Sequence, residues 1–204
     1  MTQFTMNNIS RRAMLTGVAA SFAAFGLPGI ARALTPASAS TLVTSVVDDI
    51  NSIINSGRSE AAILRDFERI FLTYGDVNTI ARYALGADGR SASRAQMAAF
   101  TDAFTHYISR KYGRRFREFE GGRIEVNAAR EVKNFYEVRT TARLRGEAPF
   151  SVVFLVSDRS GQGKFFNIFI EGINMLASER TEIGAMLDRR RGNLDALIQD
   201  LKRA

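Results

Sequence analysis

From Thr41 to about Tyr112 apolar residues recur at three- and four-residue spacing, the period of an amphipathic helix. Leu42, Val43, Val46, Val47, Ile50 and Ile53 or Ile54 mark a first helix, which ends at the Asn55-Ser56-Gly57 break. Ile63, Leu64, Phe67, Ile70 and Phe71 mark a second. Val77, Ile80, Ala81, Ala84 and Leu85 mark a third, which stops at Gly86. The fourth and longest carries an aromatic-rich stripe, Met97, Phe100, Phe104, Tyr107 and Ile108, with Ser93 as its N-cap.

At Gly121 the period changes to two. Ile124, Val126 and Ala128 alternate with Arg123, Glu125 and Asn127, and Tyr136, Val138, Thr140, Ala142 and Leu144 alternate with charged or polar residues. This is the pattern of half-buried strands with one solvated face. Phe150 to Val156 is more uniformly apolar and reads as a central strand; Phe165 to Ile170 follows a Ser160-Gly161-Gln162-Gly163 turn. Short polar segments separate these runs, so the spacing predicts an antiparallel meander of four strands. Helical spacing returns with Ile183, Met186 and Leu187, then with Leu194, Leu197, Ile198 and Leu201 behind an Asn193 cap. Helices, then strands, then helices is an α+β order.

The first 33 residues stand outside that pattern. A polar stretch leads to Arg11 and Arg12, a weakly apolar run spans Ala13 to Leu27, and Ala31-Arg32-Ala33 has the small-x-small form of a cleavage site. That order predicts a secretory signal, and Ser10-Arg11-Arg12-Ala13-Met14-Leu15 resembles a twin-arginine export signal. The apolar run is shorter than the roughly 20 residues needed to span a bilayer. Ala37-Ser38-Ala39 offers a second cleavage pattern. The expectation is a cleaved signal over residues 1–33 and one domain over residues 34–204.

Composition then narrows the chemistry. The 204 residues include no Cys, no Trp and one His, which excludes disulfides, Cys-ligated metals and a Cys nucleophile. The formal charge of +7 comes from 28 cations, of which 24 are Arg. Arg11, Arg12 and Arg32 leave with the signal and no acid does, so the remainder holds 25 cations against 21 anions. No catalytic constellation is evident; His106 alone could serve as a general base. Gly161-Gln162-Gly163-Lys164 lacks the spacing of a phosphate loop and reads as a hairpin turn. Arg110, Lys111, Arg114, Arg115 and Arg117 cluster where the long helix ends, interleaved with Tyr112 and Phe116. Three readings suit them: complementing the helix dipole, meeting lipid headgroups or a docking partner, or binding nucleic acid. The aromatic stripe and a Phe-rich sheet could fill the concavity between helices and strands, or leave it as an apolar cavity.

Val77-Asn78-Thr79-Ile80-Ala81-Arg82-Tyr83-Ala84-Leu85-Gly86, followed by Ala98-Ala99-Phe100, Phe104, Tyr107 and Tyr112, resembles the first half of the MlaC, or toluene-tolerance, family. Phe166-Asn167-Ile168-Phe169-Ile170-Glu171-Gly172-Ile173-Asn174 resembles its last-strand signature, and Arg180, Gly192 and Leu194 to Ile198 keep the same order. The chain departs from the family at Ala87-Asp88-Gly89-Arg90, where a Trp is common, and at Lys164-Phe165 and Asn167, where Trp-Lys and Asp are common.

The resemblance implies a nuclear-transport-factor-2-like shell around an apolar pocket, and a periplasmic carrier with phospholipid as cargo, no cofactor, no metal and no catalysis. Implied partners are an inner-membrane ABC transporter with an MCE-domain protein and an outer-membrane lipoprotein complex, the machinery of outer-membrane lipid asymmetry. On this reading the pocket is lined by Ile80, Tyr83, Ala84, Phe100, Phe104, Tyr107 and Ile108 from the helices. The sheet adds Val138, Val152, Phe154, Phe166, Ile168 and Ile170. Arg110, Arg114, Arg115 and Arg117 form a headgroup or docking rim. Alternatives are a hopanoid or other lipid as cargo, or an exported enzyme on the same shell using His106.

Overall fold

A computed structural model describes residues 34–114 and 119–204; the expected signal over residues 1–33 and the expected rim residues Arg115 and Arg117 lie outside the described residues. Four helices come first: α1 (Pro36–Ile54), α2 (Glu60–Tyr74), α3 (Val77–Leu85) and α4 (Arg94–Gly113), with a short 3₁₀ turn at Gly86–Arg90 before α4. The starts of α1, α3 and α4 are set by side chains that accept from otherwise unpaired backbone N–H groups. Thr35 with Ser38 and Ser93 with Gln96 form reciprocal capping boxes, and Asp76 accepts from Thr79 N–H.

The strands follow as β1 (Arg123–Val132), β2 (Phe135–Arg143), β3 (Phe150–Ser157), β4 (Lys164–Ile170) and β5 (Ile173–Asn174), antiparallel in the order β1-β2-β3-β4-β5. The expected four strands are thus joined by a fifth of two residues. It is formed because Glu171 and Gly172 both take positive φ (50° and 81°) and turn the chain back on itself. Two helices close the chain, α5 (Met175–Arg189) and α6 (Leu194–Arg203), capped by Asn174 and Asn193.

β1 departs from the expected alternation. The register shifts between Val126 and Ala128, so Ile124 and Val126 face Ala142 and Thr140, whereas beyond the bulge Ala129, not Ala128, faces Val138. Asn127 is the extra residue, and its amide donates to the Thr141 hydroxyl at 2.7 Å on the outer face. A bulge bends its strand and sharpens the twist, which curves the sheet. On β2 the expected alternation holds: Val138, Thr140 and Ala142 are buried. Thr140 resolves its place there by donating to the Val152 carbonyl at 3.0 Å. The outer face carries ion pairs between neighbouring strands, Arg130 with Glu137 and Arg143 with Glu125.

Helices cover the inner face. α1 lies along β1 and reaches β2 and β3, α2 packs on α1 and α4, and α3 packs on α4, α5 and β4. α6 lies against α4. The buried positions Val43, Val46, Val47, Ile50, Ile53 and Ile54 of α1 meet Phe100 and Phe104 of α4 and Val138, Val152, Phe154 and Val156 of the sheet in one apolar cluster. Among the described residues no helix is long and apolar enough to cross a membrane.

Candidate functional site

The cluster is not filled throughout. Between the helices and the concave face of the sheet lies a cavity of about 460 Å³, within the size range of small-molecule sites. Val46, Ile50 and Ile54 of α1 line it, with Phe67, Ile70 and Phe71 of α2, Ile80 of α3, and Phe104, Ile108 and Tyr112 of α4. The sheet contributes Ile124, Ala142, Phe150, Val152, Phe154, Phe165, Phe166, Asn167, Ile168 and Ile170, and α5 contributes Met175, Leu176 and Glu179. Exposed Glu147 and Glu171, with half-buried Leu144 and Phe119, mark its mouth. The mouth therefore lies between the β2–β3 hairpin, the β4–β5 turn and the segment following α4.

A second register shift shapes one wall. Pairing slips between Leu155 and Val156, so Val156 faces Phe165 while Phe154 faces Ile168. Phe165 then sets its ring edge-on to Phe154 at 5.9 Å and tilted against Phe71 at 6.3 Å. Phe166 packs edge-on against Phe135 at 5.8 Å. Rigid rings in these arrangements leave a wall that is apolar and already in place.

Of the residues expected at the pocket, Ile80, Phe104, Ile108, Val152, Phe154, Phe166, Ile168 and Ile170 line the cavity. The other five sit elsewhere. Ala84 and Val138 are buried in the core, and Phe100 is stacked on Phe104 at 5.7 Å, one layer behind the lining. Tyr83 is exposed, with the Arg180 guanidinium 5.2 Å from its ring centre. Tyr107 donates its hydroxyl to Glu182. Each lies on a helix or strand that also lines the cavity, but at a different angle about it. The residues of α1, α2 and α5 that line the cavity were missed because a lining stripe and a core stripe have the same composition.

The Arg residues of the expected rim that are described do not line the cavity. Arg110 donates to the Leu201 carbonyl in the last turn of α6 at 2.6 Å, and Arg114 is exposed, 4.0 Å from Glu60. His106 also lies away from the cavity. Its Nδ1 is 2.9 Å from Glu68 Oε2 and its Nε2 3.7 Å from Asp102 Oδ1, on the outer side of α4 facing α2. Among the described residues no group of three or more His, Asp or Glu side chains is spaced to hold a metal ion.

One polar cluster does reach the cavity, where α4 meets α5. Lys111 Nζ donates to Glu179 Oε1 at 2.7 Å and to Glu182 Oε2 at 2.5 Å, lying over the rings of Tyr107 and Tyr112. Tyr112 donates its hydroxyl to the same Glu179 oxygen. Burial, then the hydrogen bonds to Glu182 and Glu179, push both tyrosine hydroxyls well above their ordinary value. Burial disfavours the Lys111 ammonium, but the two carboxylates outweigh it and raise its pKa. Burial likewise opposes the Glu182 carboxylate, and the bonds from Lys111 and Tyr107 outweigh it, so its pKa is lowered. Glu179 itself is 5% exposed, and its Oε2 is buried without a hydrogen-bond partner among the described residues.

A comparison with curated proteins gives no match. Among solved structures, the fold is similar to that of a phospholipid-binding protein from Ralstonia solanacearum, determined in complex with a phospholipid. The two share 19% identity with a TM-score of 0.69, over 81% of this chain and 95% of that one. The family model of the MlaC protein matches residues 44–203, from α1 through α6. That span is most of the sequence and contains every residue of the cavity: the chain belongs to the MlaC family.

Proposed function

We propose that this protein is a periplasmic carrier that encloses the acyl chains of a phospholipid and moves it between inner- and outer-membrane complexes. The observation that carries the proposal is the cavity of about 460 Å³, lined almost entirely by aliphatic and aromatic side chains. Each CH₂ moved from water into such a cavity contributes about 0.8 kcal/mol, so two acyl chains supply ample driving force. The similar Ralstonia solanacearum structure holds a phospholipid, which supports the same cargo here. No covalent step is needed, and His106, paired with Glu68 away from the lining, takes no part.

Affinity of that origin must be relaxed where the lipid is handed over. A docking partner can do this only by binding better to a form of the protein in which the cavity is open. The helices that cover the concave face are the elements to shift. Partners, on the family's pattern, are an inner-membrane ABC transporter with an MCE-domain protein and an outer-membrane lipoprotein complex. The twin-arginine pattern at Arg11 and Arg12 supports export, leaving a single lipid-binding domain over residues 34–204.

The test is transfer between vesicles. Donor vesicles carrying a self-quenched fluorescent phospholipid are mixed with unlabelled acceptors, and the purified protein is added. Carrier action speeds dequenching in proportion to protein concentration. A rate that does not change with added protein would remove the proposal.

A further inference from the structure

The cavity has an open end and a closed end. Its mouth stands beside Phe150 and Ile170, where β3 begins and β4 ends. The lining then stops at Phe154 on β3 and at Phe165 on β4. Val156, the next inward-facing residue of β3, pairs with Phe165, is wholly buried and does not line the void. The same limit appears on α1. Val46 lines the cavity, whereas Val43 and Ala39, nearer the start of that helix, are wholly buried in the core and do not. α2 runs along the same axis: Glu60 at its start lies 4.0 Å from Arg114 on the mouth side, and Gly75 just past its end bridges to Phe165.

Three rings close the far end. Phe165 stands edge-on to Phe154 and tilted against Phe71. Phe71 and Phe165 both rest on Gly75, where an added Cβ would lie 3.1 Å from Phe71 Cδ2 and 3.2 Å from Phe165 Cζ. Rings packed in this way form a rigid surface. From Phe150 to Phe154 the strand advances four residues, about 13 Å. One leaflet of a bilayer, half of its hydrocarbon core, is about 15 Å deep, so the cavity is about as deep as one acyl chain is long.

We infer that Phe71, Phe154 and Phe165 form a floor on which the methyl end of an acyl chain stops, and that these rings set the longest chain the cavity encloses. A methylene within that length exchanges one apolar surrounding for another on leaving the bilayer, with little net change. A methylene beyond it is left in water at the mouth and costs about fourfold in affinity. The inference rests on the carrier reading and deepens it.

The experiment offers the purified protein mixed, fluid vesicles of phosphatidylcholines, equimolar, whose two identical chains are graded one methylene at a time. Bound lipid is identified by mass spectrometry. The unaltered protein should take up the shorter members evenly, then fall by about fourfold or more for each methylene past a break. Uptake without a break would overturn the inference while leaving the carrier reading intact, and this arm needs no variant to fold. Uptake of no lipid at all would overturn both. Phe71→Ala removes a ring from the floor, leaves space for several methylenes, and should move the break to longer chains by more than one methylene. Phe71→Leu opens less space and should move it the same way by about one methylene, which keeps the test available should the alanine variant unfold. Phe150→Leu removes a ring at the mouth and should leave the break where it is. A break that stays in place in either folded Phe71 variant, or that moves as far in Phe150→Leu, would overturn the floor.

Discussion

Asn51 on α1 binds both backbone groups of Ile124 on β1: its Oδ1 accepts from the Ile124 N–H at 2.9 Å and its Nδ2 donates to the Ile124 carbonyl at 3.1 Å. The side-chain amide acts as a one-residue strand on the exposed edge of the sheet, an edge that otherwise presents unpaired groups. One turn later Asn55 repeats the device on Gly121 and Gly122. These bonds fix α1 over the sheet and so hold Val46, Ile50 and Ile54 against the cavity.

Replacing Asn51 with Ala leaves both Ile124 groups without their partner and should cost about 1–3 kcal/mol. At roughly 2–4 °C per kcal/mol for a domain of this size, the melting midpoint falls measurably. Asn51→Asp keeps the acceptor for the Ile124 N–H but sets a carboxylate oxygen against the Ile124 carbonyl, and should lower the midpoint as well. Calorimetric midpoints that do not move in either variant would show that α1 is held by its apolar face alone.

Ala142 offers a way to fill the cavity without removing anything. It is buried on the inner face of β2, opposite Ile124 and Phe150, and lines the void. Overpacking costs about 1–3 kcal/mol where no space exists, but here the new ring enters space already open. Ala142→Phe should melt within about 1 kcal/mol of the unaltered protein and carry little lipid by native mass spectrometry. Val152→Glu, also in the lining, should lose lipid too, with a larger loss of stability because a carboxylate is placed against apolar walls. Undiminished lipid content in Ala142→Phe would place the cargo elsewhere.

Gly75 joins the helices to the sheet by a parallel bridge to Phe165, and Asp76 N–H donates to the Phe165 carbonyl at 2.8 Å. A Cβ at this position would lie 2.6 Å from the Phe71 carbonyl oxygen and 3.2 Å from the Phe165 ring. Gly75→Ala should therefore lose about 1–3 kcal/mol through forced displacement. Gly113→Ala is the control, since the short approach of its Cβ is to a Leu64 methyl that can rotate away, the Leu64 Cα lying at 3.7 Å, an ordinary contact, and the substitution gains helix propensity. Chemical denaturation should separate the two clearly.

The Lys111 cluster gives the stability of the fold a dependence on pH at both ends. The folded pKa of Glu182 is lowered from 4.5, so its stabilisation is present above that value and is lost as pH falls through the folded pKa. Tyr107 and Tyr112 are raised from 10.0 and Lys111 from 10.5. Their contribution is full below those values and is lost as pH rises beyond them. The cluster's contribution to the melting temperature should be flat between these limits and decline on both sides. Glu182→Gln should shallow the acid arm; an acid arm of unchanged slope would assign that loss to other carboxylates.

Much of this architecture was legible because it rests on periodicity. The stripes from Val43 to Ile54 and from Ile63 to Phe71 became α1 and α2, and Ser93 and Asn193 cap the helices their positions suggested. The departures share one cause. A bulge inserts a residue without a compositional mark, so neither the shift at Asn127 nor that beside Leu155 could be read from alternation. The second of these sends Phe165 toward Phe71 and Phe166 toward Phe135. Tyr83 and Tyr107 lie on the expected helices but point to Arg180 and Glu182, because an apolar stripe does not say which of its residues face a void. Glu179 carried no signal at all. A lone Glu within a helix normally faces water, and it is the tertiary packing of α5, with Lys111 and Tyr112 set against Glu179, that buries it.

The central claim is that the cavity carries phospholipid, and extraction tests it most directly. Protein purified without detergent from the periplasm of its producing cells is dissolved in organic solvent and the extract analysed by lipid mass spectrometry. The account predicts phospholipid in near-stoichiometric amount, and its depletion in Ala142→Phe. An extract free of lipid, from protein whose melting curve shows it folded, would contradict it.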